Sequence, residues 1–285
     1  MKFSNPHADL LIPDGTPLPQ ALERTTHMGI GAHQDDLEFM CFHGILECHQ
    51  KTDRWFAGVT VTSGSGSSRT GPYREVSDQK LVEIRREEQR RAAVIGEYGA
   101  MIQLGYDSAT IKDPLGARTR LVPELVEIIR IARPRVIYTH NPADKHPSHI
   151  AVVLPLIEAL RRLPQEMRPE KLYGCEGWRN LDWMPDTEKV VLNVGGNEPL
   201  LRRLMSVFDS QIAGGKHYDL ATLGRKQANA TYFQSHASDQ AALAEFAMDL
   251  TPLLRDDTLS VEDFTLGFID RFRNDVLQTL RKQTG

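Results

Sequence analysis

The sequence predicts an α/β fold of Rossmann-like type, a mostly parallel sheet with helices on both faces. Short apolar runs alternate with helical periodicity, and no internal repeat, low-complexity tract or clean linker interrupts the alternation. Histidines also gather directly after two of the apolar runs, at the carboxyl ends of strands where such folds bind their ligands. The 285 residues read as a single domain over 1–285, with a core at about 26–163 and strands and helices from 164–285 completing it.

The first strand is "HMGIGAH". Residues 35–50 then place Leu37, Met40, Cys41, Ile45 and Cys48 at helical spacing. "RWFAGVTVT" is the second strand and leads into the Gly/Ser loop "SGSGSSRTGPYREV". Ser77 is placed to cap a long helix ending near residue 98. "AMIQLGYD" is the third strand, "LVPELVEIIRIA" a helix, "RVIYTHNP" the fourth strand and "HIAVVLPLIEAL" the next helix. Past residue 162 the pattern is less regular: "EKLYGCEGW" and "EKVVLNV" read as strands and "NEPLLRRLMSVFDSQI" as a helix.

Composition excludes some partners. With 40% hydrophobic and 25% charged residues the chain has an ordinary soluble balance, and a net charge of −4 argues against a nucleic-acid backbone. Arg85, Arg86, Arg90 and Arg91 interleave with Glu83, Glu87 and Glu88, which reads as a solvated, self-paired helix face. Three cysteines without a CxxC pair fit a reducing compartment. No run approaches 18 apolar residues, so the expectation is a cytoplasmic protein without a membrane span.

The chemistry concentrates in "GIGAHQDDLEFMCFHG", residues 29–44. His33, Asp35, Asp36 and Glu38 put four ionisable side chains into six residues beside a hydrophobic strand. One reading is a nucleotide site, since Gly29 and Gly31 begin a GxGxxG pattern. The third glycine is missing, however, and two aspartates at the helix start would repel a pyrophosphate. A metal site suits the residues better. A catalytic zinc takes about three His or carboxylate ligands and keeps one position open. His33 and Asp36 can converge across the turn, and the loop after strand four, with His140, His146 and His149, can supply a third ligand. The plainer alternative is aspartates capping a helix and histidines satisfied within a loop. His43 and His49 lie further along the first helix, at spacings that suit partial burial or exposure, and are given no ligand role.

"AHQDDLEF" followed by "HPSHIA" resembles the PIG-L/LmbE family of zinc-dependent N-acetyl-sugar deacetylases, with motifs AHPDDxE and HPDHxA. Arg85-xx-Glu88-xxx-Ala92-xxx-Gly96, "LGYD" ending at Asp107 and "KQANATYFQSHASDQ" resemble further landmarks in the same order, from about residue 28 to 240. The resemblance implies zinc held by His33, Asp36 and His149, with Asp35 as general base on the water. It implies His146 as the acid or electrophile beside the amide, and acetate and an amino sugar as products. Glu38 would support a ligand, with an ordinary helix acid as the alternative. Arg85 and Asp107 match positions near the sugar, although Arg85 has Glu88 as an alternative partner on its own helix. Tyr173, Trp178 and Trp183 would form an apolar platform under a pyranose ring, with ordinary packing as the equal alternative. Multimers occur in the family, so the resemblance allows a homo-oligomer; the small-molecule substrate is an N-acetylglucosamine-type sugar or conjugate.

Three positions depart from the family pattern. Gln34 replaces a proline, His43-Gly44 stands where Gly-Gly is common, and Ser148 replaces the aspartate of HPDH. That aspartate would orient His146 and raise its pKa. Serine supplies no charge, so either Asp144, two residues before His146, takes its place or His146 is mostly neutral at pH 7, and the plainer reading of Asp144 is a loop carboxylate. A nucleotide-dependent enzyme, or a sugar-binding module that lost turnover with the Ser148 change, are the alternatives.

Overall fold

The computed structural model describes residues 3–284. Its eight strands are β1 (Asp9–Leu11), β2 (His27–Gly31), β3 (Phe56–Thr62), β4 (Ala100–Tyr106), β5 (Val136–His140), β6 (Lys171–Cys175), β7 (Val190–Asn193) and β8 (Ala244–Asp249). They form one sheet in the order β1-β4-β3-β2-β5-β6-β8-β7. From β4 to β6 neighbours run parallel. β1, β8 and β7 join antiparallel at the two sides. The sheet is mostly parallel, as expected. The chain moves outward from β2 to β3 and β4, then returns to set β5 on the other side of β2. That reversal opens a crevice at the carboxyl ends of β2 and β5.

Both faces are buried, which is why the strands read as nearly continuous apolar runs. Ala57, Val59 and Val61 of β3 alternate onto one face, with Ile30, Ile102 and Ile137. There they meet Leu125, Ile128, Val152 and Leu156 from helices Val122–Ala132 and Pro147–Arg162. Phe56, Met101 and Tyr138 point the other way. They pack on Leu37, Phe42, Ile45, Ala92 and Leu201 from helices Asp36–Met40, Phe42–Cys48, Asp78–Ile95 and Glu198–Met205.

The strand glycines of the GxGxxG-like run have a packing role. A Cβ on Gly31 would stand 2.8 Å from Asp36 Cβ, and one on Gly29 would stand 2.7 Å from the Phe56 ring and 3.1 Å from Leu37. The first helix sits directly on β2 because those side chains are missing. No bare turn is left there for a pyrophosphate, which removes the structural basis of the nucleotide reading.

Several elements differ from expectation. The predicted first helix breaks at Cys41, and the "NEPLLRRLMSVFDSQI" helix ends at Met205 before a separate turn at Asp209–Ile212. Ser77 does cap its helix, accepting the Lys80 N–H at 3.2 Å, but that helix stops at Ile95. The arginine face is not self-paired. Arg90 reaches Asp9 on β1, Arg86 donates to the His7 carbonyl, Arg85 turns inward to Asp35, and Glu88 accepts from Ser210. β1, β8 and helices Tyr218–Tyr232 and Val261–Thr284 have no counterpart in the sequence reading.

Candidate metal centre and catalytic cleft

Two connections meet at the crevice. The turn after β2 carries His33 and Asp35 and leads into Asp36 at the start of helix Asp36–Met40, while the loop leaving β5 carries Asp144 and His146 and leads into His149 in the first turn of helix Pro147–Arg162. One ligand-type atom from each of His33, Asp36 and His149 lies within 4.8 Å of the other two. Asp36 is central: Oδ2 is 3.4 Å from His33 Nδ1 and 3.3 Å from His140 Nε2, and Oδ1 is 3.6 Å from His149 Nε2. Oδ2 also accepts the His33 backbone N–H at 2.7 Å, so the turn itself aims the carboxylate. Burial alone would raise the Asp36 pKa, but His149 and His140 hold it well below the usual carboxylate range.

His149 is oriented through its outer nitrogen. Nδ1 lies 3.0 Å from Asp144 Oδ2, and the Asp144 carboxylate accepts the backbone N–H groups of Lys145, His146 and Trp178. With Nδ1–H donating to that carboxylate, Nε2 carries the lone pair, and it is buried with no hydrogen-bond partner. A carboxylate behind a histidine with its inner nitrogen free is how proteins present imidazole to a metal. An orphaned buried acceptor is otherwise costly. Gly177 permits the arrangement, since a Cβ there would stand 2.4 Å from Asp144 Oδ2 and 3.2 Å from His149 Nδ1. His140 fixes the ring plane from behind, stacked on His149 at 3.7 Å and 13° while its Nε2 accepts the Ala32 N–H at 2.9 Å.

Asp35 has φ 87°, a backbone conformation that non-glycine residues rarely adopt and that costs about 1–3 kcal/mol. Its surroundings impose it. The Asp35 N–H donates to Gln89 Oε1 at 3.3 Å, and its carboxylate faces Arg85 Nη2 at 3.4 Å. Arg85, itself buried, also donates to the Gln34 carbonyl at 2.6 Å and to the Ser67 hydroxyl. Gln89 is held in turn by Glu38, whose Oε1 accepts from Gln89 Nε2 at 2.8 Å and from the Tyr98 hydroxyl at 2.7 Å. Burial pushes Glu38 up to about 7. Burial also raises Asp35 well above the carboxylate range, opposed by Arg85 and reinforced by Asp36. The adjacent aspartates are thus displaced in opposite directions.

His146 stacks on Trp178 at 5.7 Å and 26° and stands 4.6 Å from His149 and 5.1 Å from His33 between ring centroids. Burial, then His149 and His33, push its pKa down to about 4, so the ring is neutral at pH 7. Its Nδ1 has no partner. Asp144 reaches only the His146 backbone, so the expected substitute for the HPDH aspartate serves His149 instead. Ser148 does not reach His146 either; its hydroxyl lies 3.2 Å from that of Ser108.

Other expected residues are placed elsewhere. Asp107 is exposed and caps the turn Ser108–Lys112, binding the Thr110 N–H at 2.8 Å and hydroxyl at 2.5 Å, and it is not part of the cleft wall. Of the three aromatics only Trp178 lines the cleft. Tyr173 packs on Tyr138, and Trp183 meets Phe272. His43 bonds the Tyr138 hydroxyl at 2.8 Å, away from the cluster. Gln34, in place of proline, ties the turn down with Nε2, which donates to the Thr62 carbonyl and Gln103 at 3.2 Å each. The cleft holds about 650 Å³ and is bordered by the 63–68 loop on one side and by Trp178 and the Tyr218–Tyr232 helix on the other. The sequence reading missed that helix because two of its three buried residues, Lys226 and Asn229, are polar.

Residues 28–160 match the family model PIG-L, GlcNAc-PI de-N-acetylase. The chain is PIG-L/LmbE-like. Escherichia coli K12 YaiS, described as an uncharacterized deacetylase, is 28% identical over 152 residues, 53% of this chain and 77% of its own. Among solved structures, Pyrococcus horikoshii N,N'-diacetylchitobiose deacetylase superposes with TM-score 0.61 at 15% identity, covering 81% of this chain and 86% of its own. GalB, a 4-carboxy-2-hydroxymuconate hydratase of Pseudomonas putida KT2440, superposes with TM-score 0.57 at 16% identity over 79% and 96%. At these identities the two structures establish a shared fold, and one fold hosts both a deacetylase and a hydratase. The PIG-L match spans His33, Asp35, Asp36, Asp144, His146 and His149, whereas Trp178 and the Tyr218–Tyr232 helix lie beyond it.

Proposed function

We propose that this PIG-L/LmbE-like chain is a zinc-dependent N-deacetylase that releases acetate from an N-acetylated amino sugar or its conjugate. The observation that carries the reading is His149, fixed by Asp144 and turning a buried, unpartnered Nε2 toward His33 and Asp36. Two imidazoles and one carboxylate suit zinc or a similar divalent ion, which supplies Lewis acidity and lowers the pKa of bound water.

His33, Asp36 and His149 would hold the ion. Asp35, next to the ligand but turned by its own backbone toward Arg85, would take the proton from water. A carboxylate whose pKa is raised by burial is a better proton acceptor near neutral pH than an exposed one. His146, neutral and stacked on Trp178, would donate a hydrogen bond to the amide oxygen, and the proton that Asp35 takes from the water would pass to the departing nitrogen. Arg85 lines the cleft and would hold Asp35 in place, with any substrate contact made by the face it shows to the cavity. The three cysteines are free and buried, and no described helix is long and apolar enough to cross a membrane. A cytoplasmic setting belongs to the same proposal.

The test is metal analysis of the purified chain combined with acetate release from a panel of N-acetylglucosamine conjugates. One zinc per chain and acetate from at least one conjugate are expected, with metal lowered in His33→Ala, Asp36→Ala and His149→Ala and retained in His43→Ala. Full metal without acetate from any conjugate overturns the hydrolase in favour of a binding module. Full metal in all three ligand variants overturns the site.

A further inference from the structure

The cleft has a second chemical character beside the His/Asp cluster. Four carboxylates line it, and each is engaged within the protein. Asp35 faces Arg85, and Asp36 faces His33, His140 and His149. Glu176 accepts from the Leu181 N–H, Asn229 and the Phe246 N–H, while Glu245 pairs with Lys226 and keeps one oxygen unpartnered. Five cations line the same space, and Arg85 and Lys226 are accounted for by those pairs. Lys112, Lys216 and Arg225 are the other three, and none has a carboxylate at ion-pair distance among the described residues.

Two of these free cations are held at one corner. Lys216 Nζ stands 5.2 Å from the centre of the Trp178 ring, and Arg225 Nη1 donates to the Gly177 carbonyl. Gly177 and Trp178 are consecutive, and Trp178 stacks on His146. Both positive groups therefore border the position where the scissile amide would lie. An indole face and a carbonyl orient a cation without cancelling its charge. Positive charge left uncompensated along a concave wall concentrates anions. Arginine with most of its N–H groups free, next to a lysine, is the usual recognition pair for phosphate or carboxylate.

We propose that the Lys216–Arg225 corner binds an anionic substituent, phosphate or carboxylate, on the substrate of this cleft. The proposal deepens the deacetylase reading and rests on it for the identity of the cleft, but binding and turnover are measured separately. Calorimetric titration of the zinc-loaded chain compares N-acetylglucosamine, N-acetylmuramic acid and N-acetylglucosamine 1-phosphate, with acetate release followed in parallel. One or both anionic sugars bind at least tenfold tighter than the neutral one, and the preference shrinks as salt rises. The stronger of the two identifies the anion. Lys216→Ala/Arg225→Ala reduces the preference by roughly ten- to hundredfold, the worth of charge-assisted hydrogen bonds, while Lys282→Ala, a remote charge loss, retains it. If the double variant does not fold, Lys216→Ala alone, a change at an exposed side chain, carries the test with a several-fold loss. Equal affinity for all three sugars overturns the proposal. So does a preference that persists undiminished in the variants, because the metal centre is then what binds the anion. A preference that the variants abolish, with no acetate from any sugar, upholds the anion site and rejects the deacetylase reading.

Discussion

Replacing Asp144 by asparagine separates two roles that the sequence leaves merged. The carboxylate accepts four hydrogen bonds, from the N–H groups of Lys145, His146 and Trp178 and from His149 Nδ1 at 3.0 Å. Asparagine fills the same space and its oxygen can keep the Lys145 and His146 contacts. Its NH₂ group must then face the Trp178 N–H and His149 Nδ1, where only an acceptor fits. His149 answers by exchanging tautomer, which places the proton on Nε2 and removes the lone pair turned toward Asp36. The loss of one charge-assisted hydrogen bond costs about 1.5–3 kcal/mol, which is roughly ten- to hundredfold in zinc affinity, the usual effect of removing a partner behind a ligating histidine. Chelator competition measures that affinity directly, and far-UV circular dichroism monitors the fold. Unchanged zinc affinity, together with a shift of the alkaline limb of kcat/KM to lower pH, refutes the reasoning. In that case the charge of Asp144 acts on His146 and not on His149.

Asp35→Asn keeps the shape at φ 87° and removes the proton acceptor, so zinc is retained and turnover falls by roughly 10²–10⁴-fold; loss of metal in this variant, with retention in Asp36→Asn, would reverse the two assignments. Gly31→Ala puts a methyl 2.8 Å from Asp36 Cβ, and overpacking of this kind costs about 1–3 kcal/mol. A lowered Tm and reduced zinc content are expected, and an unchanged Tm with full zinc contradicts the packing role given to that glycine. His27, which shares Nδ1 contacts with Thr26 and Cys48, is pushed by burial from 6.5 down to about 4. The unfolded chain therefore binds a proton that the folded chain refuses between those values, and stability falls as pH drops through that window. The contribution is at most roughly 3 kcal/mol. It is read as the difference in denaturant midpoint between the parent chain and His27→Gln at pH 7 and pH 4.5; an identical pH dependence in the two removes His27 from the account.

The fold was legible where burial repeats with a period. β2 to β6 and the helices between them are apolar on the faces that touch the sheet, so alternation alone predicted a parallel sheet and the edge at which its ligands bind. Legibility failed where burial is polar or brief. β1 has three residues and is defined by its pairing with β4. The Tyr218–Tyr232 helix buries Lys226 and Asn229 against Glu245 and Glu176, and no hydropathy pattern marks a buried ion pair. At the site, spacing alone brought His33 and Asp36 to one turn. The choice of His149 as their companion, from three histidines within ten residues, came from the resemblance. Asp107 shows the limit of position matching, since a residue at the end of a strand also suits a helix cap, and the Thr110 N–H and hydroxyl take both of its oxygens.

The least legible feature is the difference in surroundings between Asp35 and Asp36. Side by side in sequence they are chemically identical, and only three-dimensional surroundings distinguish them. Asp36 follows β2 into the helix and fits over Gly31, where His33, His140 and His149 converge on its carboxylate. Asp35 cannot point the same way, because its positive φ turns the chain through the corner and sends its side chain toward Arg85. That corner is strained, so it persists only while Gln89, Glu38, Tyr98 and Arg85 hold it. Glu38, Arg85 and Glu88 belong to the same family pattern, yet in this structure they act on the turn from beneath or hold Ser210 against the Asp78–Ile95 helix. Much of the pattern that resembles a list of catalytic groups is therefore the buried support that keeps two aspartates facing different ways.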